Sequence, residues 1–182
     1  MKLLKRNVMV LTLARKIRNR GSWCGETHLQ KAVYLLQDLA GVETGLEFVL
    51  YKHGPFSFGL RDELNLMRAD DLLELRIHSP QYGPKLVPTE HSAQIEAKFP
   101  NTLAKYKDHL DFVAEVVGDK GVAELEQIAT AVFITKHEIR DGNIQKRAEL
   151  LNSIKPHISL DQAQEAVREA DRLLHRAAEL SV

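Results

Sequence analysis

The chain has 182 residues, enough for one well-formed hydrophobic core, and its 44% hydrophobic and 27% charged residues are typical of a globular protein. Its longest uninterrupted apolar runs contain four or five residues. A membrane-spanning helix needs about 20, so we expect no membrane span. The single cysteine, Cys24, excludes an intramolecular disulfide and a cysteine-based zinc site. Residues 1–7 are basic without an apolar stretch of signal-peptide length, and we therefore expect a cytoplasmic protein.

The formal charge of the chain is zero, but the charged residues are unevenly distributed. Residues 1–25 carry seven basic and no acidic side chains, a charge of +7, so the remainder of the chain sums to −7. A basic end of this kind is suited to contact phosphate groups or an acidic partner. The alternative is a solvated face that acidic helices of the same molecule balance.

Two amphipathic helices are predicted first. Residues 7–19 carry an apolar stripe at helical spacing, with the basic side chains mainly on the other faces. The second helix begins near Glu26 and ends at Gly41, a residue type that is common just after a helix. The apolar residues that define the two helices are Val10, Leu13, Ala14, Ile17, Leu29, Val33, Leu36 and Ala40.

The next stretch contains a strand and a third helix. Residues 46–51 are aromatic and β-branched enough to predict a short strand, which Gly54-Pro55 breaks in a tight turn. Ser57 is a suitable N-cap for a helix that continues through Arg68.

A small hairpin is predicted after the third helix. Residues 73–77 alternate between apolar and polar side chains, as in a half-buried strand, and residues 85–88 form the return strand. Pro88 belongs at the edge of such a sheet, because it has no N–H to donate. Helices followed by a hairpin are the element order of a winged helix-turn-helix, which we predict for residues 1–90.

The remaining half of the sequence predicts helices. They cover residues 89–100, 103–118, 125–137, 144–153 and 159 to the C-terminus. The last begins with a capping box formed by Ser159 and Gln162. The fold class is therefore mainly α with a small β-hairpin: a winged-helix-like N-terminal half, followed by a C-terminal helical bundle at residues 91–182 that packs on it in one folded unit.

Four motifs carry a family resemblance. Residues 28–37, with the sequence HLQKAVYLLQ, resemble the Leu-Gln-Lys helix of the Panacea (SocA-like) antitoxin domain family. Residues 51–57, YKHGPFS, look like the Gly-Pro turn that follows it in this family. Residues 125–131 and 155–159 resemble C-terminal pieces of its YwgA-like branch. The resemblance covers most of the chain, with the motifs in the same order.

This resemblance implies a mostly helical, winged-helix-like protein without enzymatic activity, cofactor or bound metal. Members of the family are associated with toxin–antitoxin pairs, prophages and phage defence. They bind and neutralise a partner protein, or hand it to a protease. The expected function is therefore a non-enzymatic interaction module that neutralises or adapts a toxin or another effector. The apolar stripes of the last two helices either pack within the chain or form a homodimer interface.

The candidate partner-binding residues lie on the second helix and the Gly-Pro corner. They are Gln30, Lys31, Gln37, Lys52, His53, Gly54, Pro55 and Phe56. We expect the three helical residues on exposed faces that line a groove. The alternative is that the motif is structural: Tyr34 and Gln37 pack and reach backbone groups with their polar tips, and Gly54-Pro55 is only a turn.

Two other functions remain open at this stage. A DNA-binding regulator would use basic residues of the first helix, third helix and hairpin: Arg15, Lys16, Arg18, Arg20, Arg61 and Lys85. The third helix and the hairpin are close to neutral, however, so we expect poor DNA binding in the usual winged-helix orientation.

An enzyme is the last alternative. The eight histidines are scattered, without the spacing of a metal site. The only candidates for catalysis are His28, His53 and Cys24. The two histidines approach each other if the second helix packs beside the Gly-Pro turn. The basic region before Cys24 would lower its pKa, unless the thiol is inert.

Overall fold

Helix α2 (Glu26–Asp38) lies at the centre of the computed structural model, which describes residues 1–77, 83–140 and 142–181. All residues from His28 to Leu36 are buried, because α1, α3, α6, α7 and a β-hairpin surround the helix. An apolar stripe on one face would need only one packing partner. The centre of this fold is thus a helix without an exposed side over most of its length.

The described residues form helices and two antiparallel hairpins. The helices are α1 (Leu3–Asn19), α2, α3 (Phe58–Ala69), α4 (Glu90–Glu96), α5 (Pro100–Lys105), α6 (Lys107–Gly118), α7 (Val122–Phe133), α8 (Ile144–Ile154) and α9 (Leu160–Ala178). The strands are β1 (Val49–Tyr51), β2 (Gly54–Phe56), β3 (Leu73–Arg76) and β4 (Lys85–Pro88). A π-helical turn, Ile134–Glu138, continues α7, and a short 3-10 turn, Glu179–Ser181, follows α9. The mainly α fold class with a small β-hairpin is confirmed.

The hydrophobic core is continuous from the first to the last helix. Helix α1 packs on α6, α2 packs on α6 and α7, and α9 packs on α7 and α8. The residues before and after position 90 therefore share one core. None of the helices in the described ranges is long and apolar enough to cross a lipid bilayer.

Local capping signals are confirmed. The Ser57 hydroxyl accepts a hydrogen bond from the N–H of Leu60 at the start of α3, and Thr89 caps α4 in the same way. The capping box of Ser159 and Gln162 is complete at α9. These interactions lie within one turn of the chain, which makes them readable from sequence.

Several helix predictions differ from the structure: the helix predicted at residues 89–100 ends at Glu96, and the one predicted at 125–137 begins at Val122. Helix α1 begins at Leu3 rather than near Asn7, because its first turn is exposed and carries no apolar stripe. The helix predicted at residues 103–118 is divided at Tyr106, whose ψ of 14° interrupts the helical hydrogen bonds between α5 and α6. This small rotation leaves the apolar spacing nearly unchanged, so the pattern did not reveal it.

The Gly-Pro segment differs most from its prediction. Gly54-Pro55 belongs to strand β2 and pairs with β1, with Leu50 opposite Pro55 and Tyr51 opposite Gly54. The chain therefore turns at Lys52 and His53. The second hairpin, β3–β4, follows α3 as expected. Residues 39–57 lie between α2 and α3, however, where a helix-turn-helix has a short turn. The winged-helix arrangement stays a prediction.

Candidate functional site

The hairpin β1–β2 is attached to α2 by the two polar residues of the Leu-Gln-Lys motif. The Gln30 amide donates through Nε2 to the carbonyl of Ser57 and accepts through Oε1 from the Ser57 N–H, both at 2.9 Å. Lys31 Nζ donates to the Pro55 carbonyl at 3.0 Å. Gln30 and Lys31 are 0% and 1% exposed. The expectation that they line an exposed groove is wrong, because neighbours cover α2 on every side.

Gln37 also has a structural role. It is half-buried; its Nε2 donates to the Leu46 carbonyl at 3.1 Å, and its Oε1 accepts from the Thr44 hydroxyl. These bonds hold the loop that leads into β1. The Tyr34 hydroxyl, in contrast, has no hydrogen-bond partner among the described residues. Burial raises the pKa of Tyr34 well above its usual value.

A cluster of buried charges contacts the turn of the β1–β2 hairpin from the interior of the protein. The Glu126 carboxylate on α7 lies 3.0 Å from Lys155 Nζ, and both residues are 5% exposed. Lys155 Nζ also donates to the carbonyls of Tyr51, at 3.0 Å, and Lys52. The contact between Glu126 Oε1 and Lys155 lacks hydrogen-bond geometry, so its attraction is ionic. A buried ion pair of this kind needs both partners, since either charge alone is costly in the interior.

Two histidines complete the cluster at its solvent edge. His53 Nδ1 and His157 Nε2 each lie 3.7 Å from a Glu126 oxygen, and both side chains are more than half exposed. Lys31 lies on the interior side. Burial lowers the pKa of Lys31 to about 8; attraction by Glu126 opposes this shift and repulsion by Lys155 adds to it.

Gly54 is required at its position for two reasons. Its φ of +85° lies in the left-handed region that L side chains rarely adopt. A Cβ at this residue would also lie 2.9 Å from Thr130 Oγ1 and 3.4 Å from Lys31 Cε. The hairpin thus approaches α7 as closely as its backbone permits. Gly54 and Pro55 are buried, so they support the corner and do not form its surface.

The outer surface of the hairpin carries exposed aromatic side chains. The rings of Tyr51, Phe56 and Phe58 have centroids 5.2–5.7 Å apart. The Arg61 guanidinium lies 5.2 Å from the Phe58 ring centroid. Tyr51 is 56% and Phe58 45% exposed, and Val49 pairs with Phe56 across the hairpin. We call Val49, Tyr51, Phe56, Phe58 and Arg61 the aromatic patch.

Sequence reasoning identified only part of this surface. Of the predicted partner-binding residues, Lys52 and His53 are exposed at the turn and Phe56 belongs to the patch. Val49, Tyr51 and Phe58 were not included. Their spacing contained a usable signal, because a hairpin that turns at residues 52–53 places 49, 51 and 56 in paired positions.

Some of the basic residues proposed for DNA contact form ion pairs within the chain, and others do not. Arg15 is 3.0 Å from Glu96, and Lys16 pairs with Asp111, so acidic helices of the same molecule balance both. Within the described residues, Arg18 and Arg20 have no ion pair. Lys85 Nζ lies 3.9 Å from the centroid of the Trp23 ring. Arg61, described above, is 3.4 Å from Asp62.

The three residues considered for catalysis have separate environments. Cys24 is fully buried, and burial raises the pKa of its thiol to about 12. The expectation of a lowered pKa is wrong, because desolvation outweighs the attraction of Arg18. His28 Nε2 is 3.2 Å from the Lys120 carbonyl and burial lowers its pKa, whereas His53 faces Glu126. The described ranges contain no group of three or more His, Cys, Asp or Glu side chains that could hold a metal ion.

The apolar stripes of α8 and α9 are used within the chain. Ala148, Leu151, Val167 and Ala170 are fully buried, and the two helices pack on each other and on α7. Of the two alternatives given for these stripes, intramolecular packing accounts for their burial.

No protein-family profile matches the chain, and no curated protein sequence is significantly similar to it. The geometry of the hairpin and the motif resemblance are therefore the observations that bear on function.

Proposed function

We propose that this chain is a non-enzymatic interaction module that binds a partner protein and neutralises or adapts it, in the manner of Panacea-type antitoxins. The observation that carries the proposal is the aromatic patch on the β1–β2 hairpin. Tyrosine, phenylalanine and arginine are enriched at protein interfaces, where a few such residues supply most of the binding energy. A contiguous exposed cluster of them is suited to serve as the centre of an interface.

The anchoring of the hairpin supports this proposal. Hydrogen bonds from Lys31 and Lys155 hold backbone carbonyls of the hairpin from the interior side, and Gln30 holds Ser57 directly after it. These bonds fix the position of the exposed rings. A surface that is ordered before binding loses less conformational entropy when the partner docks. The buried residues of the two motifs, Gln30, Lys31, Gly54 and Pro55, thus act through the position of the patch, without touching the partner.

The chemistry of the partner follows from the residues around the patch. Its centre is apolar, and the exposed turn adds Lys52 and His53. A complementary partner surface presents an apolar or aromatic side chain at the centre and carboxylates at the rim. The cations of Arg18 and Arg20, which have no ion pair among the described residues, favour the approach of an acidic partner.

The proposal is tested by affinity capture of the tagged chain from its native cell, with nuclease, followed by binding of the purified partner. We expect a stoichiometric protein that the Tyr51→Ala/Phe58→Ala variant does not retain. The matched control is Leu3→Ala/Leu4→Ala, which removes exposed apolar residues from α1. Co-production with the wild-type chain, and not with the patch variant, should relieve growth inhibition by the partner. Equal retention by both variants would contradict the proposal.

Binding to duplex DNA is the second candidate, favoured by the cations of Arg18 and Arg20, for which the described ranges contain no ion-pair partner. Its test is fluorescence anisotropy with labelled duplex at increasing salt concentration. A DNA-binding regulator should lose salt-sensitive binding in Arg18→Gln/Arg20→Gln and keep it in Arg15→Gln/Lys16→Gln, whose side chains are already paired. Capture that disappears after nuclease treatment would also favour this function.

A further inference from the structure

A cleft of about 690 Å³ opens between several elements. Its walls come from the α1–α2 connection, the first turn of α2, α3, the β3–β4 hairpin and the α6–α7 turn. The apolar side chains of the lining include Trp23, Leu64, Leu75 and Leu86. The Trp23 indole donates to the Gly83 carbonyl at 2.8 Å, which fixes the plane of the ring. The volume lies within the range of ordinary ligand-binding pockets.

The cleft is continuous with the aromatic patch through Arg61. This side chain lines the cleft and at the same time lies beside the Phe58 ring. A chain segment that leaves the patch at Arg61 therefore enters the cleft directly. A partner docked on the patch has a path by which an extended segment continues along α3.

Cationic side chains lie in and around the cleft: Arg61, Arg68 and Lys120 line it, and Arg20 and Lys85 lie beside it. Arg68 bonds only the Asn65 amide oxygen, at 3.2 Å, and forms no ion pair among the described residues. The stem of Arg20 packs against Gly118, which belongs to the lining. Lys85, above the Trp23 ring, likewise has no ion pair in the described part of the chain. Among the described residues, no carboxylate balances these three cations as Glu96 and Asp111 balance Arg15 and Lys16.

Carboxylates occupy another part of the same lining. Glu26 and Asp119 both line the cleft, and Asp119 lies 3.9 Å from Lys120. A nucleic-acid backbone carries a negative charge at every nucleotide, so it would meet these carboxylates along its path. A peptide has no such constraint, because it can place carboxylates opposite the cations and apolar residues elsewhere.

We propose that the cleft binds an acidic peptide segment of the partner protein. An apolar side chain of the segment lies against Trp23 and Leu86, and a carboxylate pairs with Arg68. Gly25 and Gly121, the N-caps of α2 and α7, both belong to the lining, and neither helix has a side-chain capping hydrogen bond among the described residues. The inference rests on the proposed function, since it assigns a second part of the partner's contact surface.

Trp23 is the only tryptophan of the chain, so its fluorescence reports occupancy of the cleft. The probe is the octapeptide DDLEFLDD. Two matched peptides are NNLQFLNN, without charge, and DDSESSDD, without apolar side chains. We expect a saturable change in Trp23 fluorescence with the probe and binding at least about tenfold weaker for either matched peptide. The absence of a saturable response, or equal binding of NNLQFLNN, would overturn the proposal.

The position of the site is tested with one pair of variants. Arg68→Glu should weaken binding of the probe at least about tenfold, because it reverses the charge that pairs with the carboxylate. Arg168→Glu is the control, since Arg168 is an exposed arginine on α9 that does not line the cleft. Equal affinities of the two variants would contradict the site. Tighter binding of an eight-nucleotide oligothymidylate than of the probe would overturn the proposal, because the occupant of the cleft would then be a single-stranded nucleic acid.

The two proposals can fail separately. The Tyr51→Ala/Phe58→Ala variant retains every residue of the cleft lining, so it should bind the probe normally while it loses the partner. Partner capture that depends on the patch, without a Trp23 response to the probe, would sink only the inference about the cleft. Probe binding together with partner capture that is independent of the patch would sink only the proposed function.

Discussion

Both hairpins are short and antiparallel, but the chemical character of their exposed faces differs. In β3–β4 the exposed side chains of Glu74 and Arg76 pair with each other at 2.8 Å, so that face is solvated. In β1–β2 the exposed face is aromatic, and buried polar side chains hold the backbone from the opposite side. A small sheet can present a large apolar surface when charges in the interior fix its position.

The largest difference in stability should appear when one carboxylate is neutralised at each hairpin: Glu126 of α7, which supports β1–β2, and Glu74 of β3 itself. Glu126→Gln leaves the cations of Lys31 and Lys155 in the interior without their counterion, and we expect a loss of about 3 kcal/mol or more in the free energy of unfolding. Glu74→Gln removes only an exposed ion pair and should change it by about 0.5 kcal/mol or less. Urea unfolding at pH 7 measures both. Similar losses for the two variants would contradict the anchoring role of Glu126.

A second comparison uses one glycine beside each hairpin. Gly54→Ala places a Cβ at positive φ and within 2.9 Å of Thr130 Oγ1, so the free energy of unfolding should fall by about 2 kcal/mol or more. Gly83→Ala, before β4, adds a Cβ at an ordinary φ, with no atom of the described residues within 4 Å. Its effect should stay within about 0.5 kcal/mol. The urea unfolding midpoints of the two variants measure this difference. An alanine at position 54 without loss of stability would contradict the close approach of Gly54 to Thr130.

The exposed face should affect binding more than folding. Tyr51→Ala and Phe58→Ala each remove a half-exposed ring, so we expect a loss of stability of about 1 kcal/mol or less. Affinity for the captured partner should fall by about 2 kcal/mol, or roughly thirtyfold, for each substitution. Calorimetric titration against thermal unfolding separates the two effects. Equal losses of stability and affinity in a variant would show that the ring stabilises the fold and is not a specific contact with the partner.

Lys31 should give the β1–β2 anchor a specific pH dependence. Its pKa is lowered to about 8 in the folded chain, against an ordinary value of 10.5. Between these values the unfolded state binds more protons than the folded state, so the contribution of Lys31 to stability increases as pH rises. Below pH 8 the cost of burying the charge is present in full.

We therefore expect the stability of the wild type, relative to Lys31→Met, to rise by about 1–2 kcal/mol between pH 7.5 and pH 10. Urea unfolding at several pH values in this interval provides the measurement. The difference between the two proteins removes the titration of other groups, and Lys107→Met, at an exposed lysine, serves as the control. A constant difference across the interval would show that Lys31 titrates normally.

The parts of the fold that depend on neighbouring residues were predictable from the sequence. The caps at Ser57, Thr89 and Ser159 lie within one helical turn of their partners. Alternation along the chain predicts strand β3, and the turn that follows predicts β4 as its return strand. The same local reasoning failed where a long-range contact decides the conformation. Gly54-Pro55 was interpreted as a breaker, because nothing nearby in sequence indicates its pairing with β1 or its support from α7.

The candidate site shows the same division. Gln30 and Lys31 are polar residues on a helix, and local patterns place such residues at the surface. Their burial results from α6, α7 and Lys155, which are distant in sequence. The motif resemblance drew attention to residues 28–37 and 51–57, but the expected exposure of Gln30 and Lys31 is wrong. Tyr51, the first residue of the Gly-Pro motif, and Phe58, which follows the motif, form the exposed surface that the buried residues support.

The buried thiol of Cys24 has a practical consequence. It is the only cysteine of the chain, it is fully buried, and its pKa is raised to about 12, so maleimide and disulfide reagents should leave it unmodified while the chain is folded. A single cysteine introduced at an exposed position, such as Lys52, can therefore be labelled selectively in the otherwise native protein. Fluorophores or spin labels placed there would follow the docking of a partner on the hairpin without any background substitution.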